Sequence, residues 1–203
     1  MDTPAPGAGI GPARNETNAA VDLGSADDAA LARAAALGDR RAFAVIVDRH
    51  GPSMYRYARR MLPDAGDAQE VVQDAFVSAW KGLDHYAGRS TLRTWLFSLT
   101  AHKAVDLRRK KRLLPAADES LARRPAGPQS DPAALVERSQ LLAGLDQALK
   151  QLPPRQRACW LLVEVEGMTQ AEVAEVLTVS PGVVRGQLSR ARRALGERMQ
   201  QWR

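Results

Sequence analysis

Residues that commonly hold metals and disulfides are scarce in this sequence. It contains one cysteine, Cys159, and three histidines among 203 residues, which excludes an intrachain disulfide and a cysteine-based zinc site. The histidines lack the HExxH spacing of zinc enzymes, and no glycine-rich phosphate loop, serine nucleophile elbow or metal-binding carboxylate cluster is present. We therefore expect no metal, no cofactor and no catalytic activity, and we expect Cys159 to be a buried thiol.

Long apolar runs are also missing. No stretch approaches the length that crosses a bilayer, and the first residues lack the basic-then-apolar order of a signal peptide. Alternation of apolar and polar residues, the pattern of a half-buried β-strand, does not occur over any useful length. The sequence therefore predicts a cytoplasmic, all-α protein.

Positive charge is abundant and unevenly distributed. The net charge is +6, which favours a polyanionic partner. Residues 31–112 hold sixteen Lys and Arg against eight acids, and residues 180–203 hold six Arg against one Glu. Residues 1–30, in contrast, hold one Arg against five acids. The basic character is therefore concentrated in two separate parts of the chain.

Composition divides the chain into four segments. Residues 1–26 are rich in Ala, Gly and Pro without periodicity and are predicted to be a disordered tail. Residues 27–112 form a first helical bundle, in which Gly51-Pro52 should kink or interrupt a helix. Residues 113–131 contain three prolines and form a flexible linker, and residues 132–203 form a second bundle. The predicted fold is two small helical bundles joined by a flexible linker.

The C-terminal bundle contains two helix starts separated by a very short turn. Thr169 followed by Glu172 is a capping box, and Ser180 followed by Pro181 is an N-cap with proline at the first helical position. Only two residues separate the helices, which must cross steeply, as in a helix-turn-helix whose second helix enters a DNA major groove. Thr178 stands where such turns often use glycine, and a positive φ would strain this β-branched residue.

The second helix of this motif has two faces. The apolar stripe that we expect to be buried consists of Val184, Leu188, Ala191 and Leu195. The basic residues of this helix are Arg185, Arg190, Arg192 and Arg193. The pattern leaves one alternative open, an ordinary helical hairpin whose basic face is simply solvated.

A second basic element ends the first bundle. In residues 103–112, KAVDLRRKKR, six of the ten residues are basic, and they extend a helix that carries Trp95 and Phe97. A solvated helix end, where cations meet the helix dipole, is one interpretation. Aromatic residues beside a basic track also suit single-stranded nucleic acid, whose bases stack while its phosphates are neutralised. Because the run is long and precedes a linker, we favour nucleic-acid contact.

An acidic face is unexpected in so basic a protein. Asp67, Glu70, Gln73 and Asp74 lie on the outer side of a helix that is expected to begin at Asp67. Complementarity with the helix dipole explains Asp67 and Glu70 but not Asp74, which is two turns from the expected start. Such a patch suits a basic protein partner.

Three stretches together carry a family resemblance. The chain contains, in order, DAQEVVQDAFVSAWKGLDHY, LRTWLFSLTAHKAVDLRRKKR and LKQLPPRQRACWLLVEVEGMTQAEVAEVLTVSPGVVRGQLSRARRAL. They resemble the successive conserved regions of bacterial RNA polymerase sigma factors of the sigma-70 family, in particular the extracytoplasmic-function (ECF, group IV) subfamily, which keeps only domains two and four. The resemblance implies a transcription initiation factor that binds core polymerase, recognises the −10 and −35 promoter elements and melts DNA.

The resemblance also assigns roles to residues. It implies that residues 27–112 are sigma domain 2 and that residues 132–203 are sigma domain 4. The implied core polymerase-binding residues, which dock on the clamp helices of the largest β-type subunit, are Asp67, Glu70, Gln73 and Asp74. The implied −10 and melting residues are Tyr86, Arg89, His102, Lys103, Asp106, Arg108 and Arg109. The implied −35 residues are Ser180, Gly182, Val183, Arg185, Gly186, Ser189, Arg190 and Arg193. The implied partners are core polymerase, including its flap, promoter DNA and a cognate anti-sigma factor.

A different class of function is the rival at this point. A self-sufficient helix-turn-helix regulator would use its N-terminal bundle to dimerise or to bind a ligand. As a dimer it would recognise a palindromic operator without polymerase. The linker and the second basic element argue against this class.

Overall fold

The computed structural model describes residues 23–112 and 132–200, with side chains described except those of residues 112 and 132–140. All regular structure in these two ranges is helical, as the sequence predicts. The helices are α1 (Asp28–Ala36), α2 (Arg40–Met61), α3 (Ala65–Gly82), α4 (Leu92–Arg112), α5 (Pro132–Lys150), α6 (Pro154–Trp160), α7 (Gln170–Leu177) and α8 (Pro181–Met199). A 3₁₀ turn (Leu83–His85) follows α3, and a π-helical segment (Leu161–Val165) continues α6.

Helices α1 to α4 pack around an apolar core. Its largest fully buried side chains include Leu31, Ile46, Met54, Tyr57 and Phe97. The rings of Tyr57 and Phe97 meet edge to face, with centroids 5.8 Å apart, a geometry that adds stabilisation beyond the buried area. This core fixes the orientation of α3 and α4, the two helices that carry the acidic face and the first basic element.

Aspartates begin the first three helices. Asp27 and Asp39 each precede apolar residues at helical spacing, which predicts a helix start at both. The carboxylate of Asp27 accepts from Ala30 N at 2.6 Å, and that of Asp39 accepts from Arg41 N at 2.8 Å, which confirms both starts. The expected start of α3 at Asp67 is wrong. Asp64 is the N-cap, because its extended backbone lets its carboxylate accept from the amide of Asp67 at 3.0 Å. Asp67 therefore lies inside the first turn.

The expected interruption at Gly51-Pro52 does not occur. Helix α2 continues through Pro52 for 22 residues, from Arg40 to Met61. Proline removes one backbone hydrogen bond and crowds the preceding turn. Burial of Met54 and Tyr57 beyond it anchors the second half of the helix in the core, which offsets this local cost.

Helices α5 to α8 form the C-terminal half. The predicted stripe of α8 is confirmed, since Val184, Leu188, Ala191 and Leu195 are all buried. On α5, helical spacing predicts that Leu135, Leu142, Leu145 and Leu149 are buried. Leu149 is buried and Leu145 is partly buried, but Leu142 is 42% exposed. The side chain of Leu135 lies outside the described part of the structure.

The ends of the predicted segments are only partly described. Residues 1–22 of the predicted tail and the whole predicted linker, residues 113–131, lie outside the described ranges. The last residues of the predicted tail, in contrast, pack against α2. Arg49 Nη2 donates to the carbonyls of Gly24 at 3.1 Å and Ala26 at 2.9 Å. Neither described range contains a helix that combines the length and the apolar character needed to cross a bilayer.

Candidate nucleic-acid interface

The helix-turn-helix begins with the predicted capping box. Thr169 Oγ1 accepts from the amide of Glu172 at 3.2 Å, and Glu172 Oε2 accepts from the amide of Thr169 at 2.8 Å. The hydrogen bonds that Glu172 Oε2 accepts from the amide and the hydroxyl of Thr169 stabilise the ionised carboxyl and lower the pKa of Glu172. The reciprocal bonds satisfy two amides that a helix start leaves free, and they fix where α7 begins.

The turn between α7 and α8 uses a left-handed residue that is not glycine. Thr178 has φ 53° and ψ 50°, a conformation that costs an ordinary L-residue about 1–2 kcal/mol. Amides of the turn close it, since Thr178 N donates to Glu175 O at 3.2 Å and Val179 N to Ala174 O at 3.0 Å. The strain at Thr178 that the sequence suggested is therefore present, and the turn keeps its tight helix-turn-helix form.

Helix α8 presents the predicted DNA-reading residues on its outer side. Ser180 is the N-cap, and its hydroxyl accepts from Val183 N at 3.4 Å. The predicted residues that are exposed are Ser180, Gly182, Val183, Arg185, Ser189, Arg190 and Arg193. Gly186 is half-buried, because the Arg190 guanidinium lies over it. The structure therefore gathers the predicted −35 residues on one continuous helix surface.

The cations of α8 fall into two groups. Among the described residues, no carboxylate lies within 4.0 Å of Arg185, Arg190 or Arg193. Arg192 instead forms an ion pair with Glu164 of the π-helical segment, at 2.6 Å. The outer cations are free to neutralise phosphates, whereas Arg192 braces α8 against its own half of the chain.

The loop before α4 is held by an aromatic pair. Tyr86 donates its hydroxyl proton to Ser90 O at 2.6 Å, and its ring centroid lies 5.0 Å from that of Trp95. Partial burial raises the pKa of Tyr86, so the phenol stays protonated at neutral pH. Arg89 is exposed. Tyr86 is therefore held in place at the edge of the loop, and the exposed Arg89 lies at its tip.

On helix α4, two cations of the predicted melting site and one further lysine, Lys111, are already paired with carboxylates. The pairs are Lys103 with Asp74 at 3.9 Å, Arg109 with Asp106 at 3.1 Å, and Lys111 with Asp67 at 2.6 Å. Arg108 has a buried Nη1 without a hydrogen-bond partner in the described structure. The pairs of Lys103 and Lys111 connect the basic run of α4 to the acidic face of α3.

The acidic face of α3 is smaller than the sequence predicts. Glu70, Gln73 and Asp74 are exposed, but the side chain of Asp67 is only 10% exposed. Both carboxylate oxygens of Asp67 accept from Lys111 Nζ, at 2.7 and 2.6 Å. A partner that docks on this surface would meet Glu70, Gln73 and Asp74. Asp67 instead holds the end of α4 through Lys111.

The two predicted DNA-reading elements lie side by side. His102 Nε2 on α4 is 3.3 Å from Thr178 Oγ1, in the turn just before α8. Residues that sequence reasoning missed join the two halves at the other end of α4. They are Arg56, Arg93 and Glu166. No local pattern could have identified them, because partners 73 residues apart share no periodicity.

The one cysteine of the chain is buried in the described structure. Cys159 is 1% exposed, as predicted, and burial raises the pKa of its thiol to about 11. A protonated, buried thiol is a poor nucleophile. In the two described ranges, no group of three or more His, Cys, Asp or Glu side chains is arranged to hold a metal ion.

Comparison with known proteins identifies both halves. The family Sigma-70 region 2 matches residues 46–113, and the family Sigma-70, region 4 matches residues 142–195. RNA polymerase sigma factor NccH of Alcaligenes xylosoxydans xylosoxydans is 34% identical over 175 residues, covering 83% of this chain and 92% of NccH. RNA polymerase sigma factor CnrH of Cupriavidus metallidurans is 35% identical over 179 residues, with the same two coverages. The ECF RNA polymerase sigma-E factor of Escherichia coli is 29% identical over 171 residues, covering 80% of this chain and 89% of that protein.

Solved structures have the same fold. The structure of CnrH in complex with the cytosolic domain of CnrY matches with a TM-score of 0.63 at 35% identity and covers 84% of this chain and 95% of that chain. The sigma factor RpoE of Bartonella quintana, solved in complex with the anti-sigma factor NepR, matches with a TM-score of 0.64 at 24% identity. It covers 77% of this chain and 96% of that chain, and it supports the fold.

Proposed function

This chain belongs to the extracytoplasmic-function group of the sigma-70 family of RNA polymerase sigma factors, and from that premise we propose how its residues divide the work. It is a sigma factor, which binds core RNA polymerase and directs promoter-specific transcription initiation. The proposed division gives −35 recognition to α8, −10 recognition and melting to α4 with the loop before it, and polymerase docking to α3. The observation that carries it is the outer face of α8, where exposed arginines have no carboxylate partner in the described structure.

The −35 element would be read by the first half of α8. A recognition helix brings its N-terminal residues to base edges in the major groove, which suits the segment from Ser180 to Ser189. Arg185 can donate two hydrogen bonds to guanine O6 and N7. Arg190 and Arg193 lie further along the helix and would contact phosphates, which adds affinity without sequence preference.

The −10 element would be captured by α4 and the loop before it. Melting requires unpaired bases to be held apart from the duplex, at a cost of a few kcal/mol per extruded base. Tyr86 offers a positioned ring near the exposed Arg89, and His102 offers a ring on α4. Lys103, Arg108 and Arg109 would neutralise the separated strand, and Asp106 would hold Arg109 in place.

Core polymerase would dock on the exposed part of the acidic face. Glu70, Gln73 and Asp74 are available to a basic surface such as the clamp helices of the largest β-type subunit. We assign Asp67 a supporting role, because Lys111 already occupies both of its oxygens. The domain boundaries that go with this division are residues 27–112 and 132–203, joined by residues 113–131, and the flap is proposed as a further polymerase contact.

Control by an anti-sigma factor completes the proposal. Two proteins similar to this chain are solved in complex with another protein, CnrH with the cytosolic domain of CnrY and RpoE with the anti-sigma factor NepR. We propose that this chain likewise acts in the cytoplasm at the nucleoid, has no catalysis of its own, and is held inactive by a cognate anti-sigma factor.

In vitro transcription with purified core polymerase tests the proposal. The protein should direct core polymerase to a bounded set of start sites on fragmented genomic DNA, and those sites should share sequence near −10 and −35. A protein that leaves core polymerase inactive yet binds a palindromic duplex as a dimer would instead be a stand-alone regulator. The two outcomes separate the classes of function that the helix-turn-helix alone permits.

A further inference from the structure

Three guanidinium groups from α2, α4 and α6 have buried nitrogen atoms without a hydrogen-bond partner in the described structure. They are Arg59 on α2, Arg108 on α4 and Arg157 on α6, and the buried atoms are Nη1, Nη1 and Nε, respectively. A buried donor that lacks a partner costs about 1–3 kcal/mol, and more when it belongs to a charged group. Buried polar atoms in folded proteins are almost always paired. These three donors therefore require an acceptor that the described residues do not supply.

The surroundings of Arg157 bring these groups together. Arg157 Nη1 donates to the carbonyl of Arg60 at 3.4 Å, and Arg60 follows Arg59 in the last turn of α2. Burial lowers the pKa of Arg157, and the positive charge of Arg108 lowers it further, an effect that decreases with distance. Cations from three helices thus meet in one region of the molecule.

No carboxylate neutralises this cluster within the part of the chain that the structure describes. None of the three arginines has an acid within 4.0 Å there, although the neighbouring Arg109 pairs with Asp106 at 3.1 Å. Asp146 opposes the lowered pKa of Arg157, but its carboxylate already pairs with Lys150 at 3.0 Å. Partly buried charges of one sign repel one another more strongly than solvated ones. An anion is therefore the partner that suits this region.

Arg157 is held in place, whereas the other two side chains are accessible. Arg157 is 8% exposed, and its Nη2 donates to the carbonyls of Lys150 and Leu152. These bonds use its two Nη groups and leave the Nε donor unpaired. Arg59 and Arg108 are half-buried, so solvent reaches part of each guanidinium. The cluster thus combines one fixed donor with two donors that a small solute can approach.

We propose that Arg59, Arg108 and Arg157 form a binding site for a small phosphate-type anion, either inorganic phosphate or the phosphate groups of a small molecule. The planar guanidinium fork matches the oxygens of phosphate and binds them through charge-assisted hydrogen bonds. A DNA strand would meet only the exposed nitrogens, because Arg108 Nη1 and Arg157 Nε are buried. Among the proposed DNA-contacting residues, the site shares Arg108 alone.

The test measures binding of inorganic phosphate and of pyrophosphate to the full chain, in a buffer free of other oxyanions. Isothermal titration calorimetry at constant ionic strength should show saturable binding of at least one of the two anions. The same anion should raise the melting temperature, because a ligand that binds only the folded form stabilises it. Arg59→Gln should weaken the binding by about tenfold or more, since it removes a charged donor to the anion.

Arg109→Gln is the matched control. It removes the same charge one residue from Arg108, but Arg109 is exposed and already pairs with Asp106. This variant should keep the anion affinity of wild type within about twofold. Arg157→Gln should abolish the binding. If that variant fails to fold in a melting curve, Arg59→Gln decides alone, since the Arg59 side chain is only half-buried.

The outcomes separate a small-anion site from general attraction of anions and from DNA binding. Equal affinities of wild type and the Arg59 variant, or a melting shift that potassium chloride of the same ionic strength reproduces, overturn the site. A single-stranded oligonucleotide tests the other source of phosphate. If wild type binds neither anion but Arg59→Gln loses oligonucleotide affinity, these arginines bind the DNA backbone and the small-anion site is overturned. None of these measurements depends on transcription, so the site and the proposed function can fail separately.

Discussion

Helices α4 and α8 are both basic, and both follow the core of their half of the chain, but they hold their cations differently. On α4, the pairs between cations and carboxylates are Lys103 with Asp74, Arg109 with Asp106, and Lys111 with Asp67. On α8, the outer residues Arg185, Arg190 and Arg193 have no carboxylate within 4.0 Å among the described residues. The same residue types therefore present two different electrostatic surfaces.

The difference fits two kinds of nucleic-acid contact. Free cations bind duplex phosphates by releasing condensed counterions, which gives affinity for any duplex and a strong dependence on salt. Paired cations must first exchange a carboxylate for a phosphate. Because two of the carboxylates beside α4 belong to α3, docking of polymerase on α3 would change how strongly α4 attracts a strand. The outer cations of α8 need no such exchange, whereas those of α4 depend on the neighbouring helix.

The largest expected effect comes from reversing charge on α3 without touching the pairs that hold α4. Glu70→Lys with Gln73→Ala changes two exposed side chains and should weaken binding to core polymerase by about 2–5 kcal/mol. The melting temperature should stay close to that of wild type, because neither side chain is part of the core. Titration of labelled protein with core polymerase, beside a melting curve, measures both quantities.

The matched control reverses an acid elsewhere in the same half. Asp48 is exposed on α2, and Asp48→Lys should bind polymerase as wild type does. We choose Glu70 rather than Asp74 for the reversal, because a lysine at residue 74 would repel Lys103 and disturb α4 directly. Equal polymerase binding by the α3 variant and the Asp48 control would remove α3 as the docking surface.

The next largest effect distinguishes two arginines of α8. Arg185→Ala should cost about 1–3 kcal/mol on a matched −35 element and much less on a scrambled one. Arg193→Ala should weaken binding to the matched and the scrambled element by similar amounts. It should also reduce the slope of log affinity against log salt concentration by about one. Both arginines are exposed, so folding should not change. Duplex titrations at several salt concentrations give the comparison, and identical behaviour of the two variants would deny Arg185 a base contact.

A smaller effect is expected on α4, because its cations are partly engaged. Arg108→Gln with Arg109→Gln should impair formation of the open complex more than binding to the closed duplex. For each phosphate contact to single-stranded DNA that is lost, the slope of log affinity against log salt concentration should fall by about 0.7. Permanganate reactivity of thymines on a duplex promoter measures melting, and a premelted template should restore most of the transcription. Normal reactivity in the variant would exclude these residues from strand capture.

The smallest expected effect is a pH dependence of folding stability. Only the N-terminal half should have a contribution from histidine, since all three histidines precede residue 103. His50 is buried in the first core, and burial lowers its pKa although Asp28 Oδ2, 3.0 Å away, opposes the shift. The unfolded chain then binds this proton more readily than the folded one. Stability of the N-terminal half should therefore fall as pH decreases below about 6.5, while the stability of α7 and α8 lacks this contribution.

Hydrogen exchange resolved along the chain can follow this difference between pH 7 and pH 5. His50→Gln should remove the histidine contribution, so that the amides of α1 and α2 lose less protection at low pH than in wild type. A His85→Gln variant is the control, because His85 is exposed. An identical pH response of the wild type and the His50 variant would contradict the assignment.

Local chemistry was sufficient to predict most of the helix starts and the motif. The capping box of Thr169 and Glu172, the N-cap at Ser180 and the aspartate caps of α1 and α2 each depend on residues within four positions. The buried stripe of α8 follows from periodicity alone. These features agree with the structure because both the signal and its cause are local.

Features that depend on distant residues were not predictable. Asp64 and Asp67 have the same side chain, and only the extended backbone at Asp64 decides which one caps α3. Glu164 and Glu166 lie two residues apart in VEVEG, yet one pairs within its own half and the other across the boundary. Nothing in the local pattern distinguishes them. The buried and exposed faces of α8 could be predicted from sequence, whereas the partners of Glu166 required the packing of α4 on α7.

The contact of 3.3 Å between His102 Nε2 and Thr178 Oγ1 would couple the two proposed DNA-reading elements thermodynamically. If both readers must leave this contact to bind, the free energy of opening is supplied once, by whichever element binds first. Linkage then requires that −10 DNA raise the affinity for −35 DNA by the same factor with which −35 DNA raises the affinity for −10 DNA. A single chain would thereby show positive cooperativity between two half-sites, a property that helix-turn-helix regulators usually gain by dimerising.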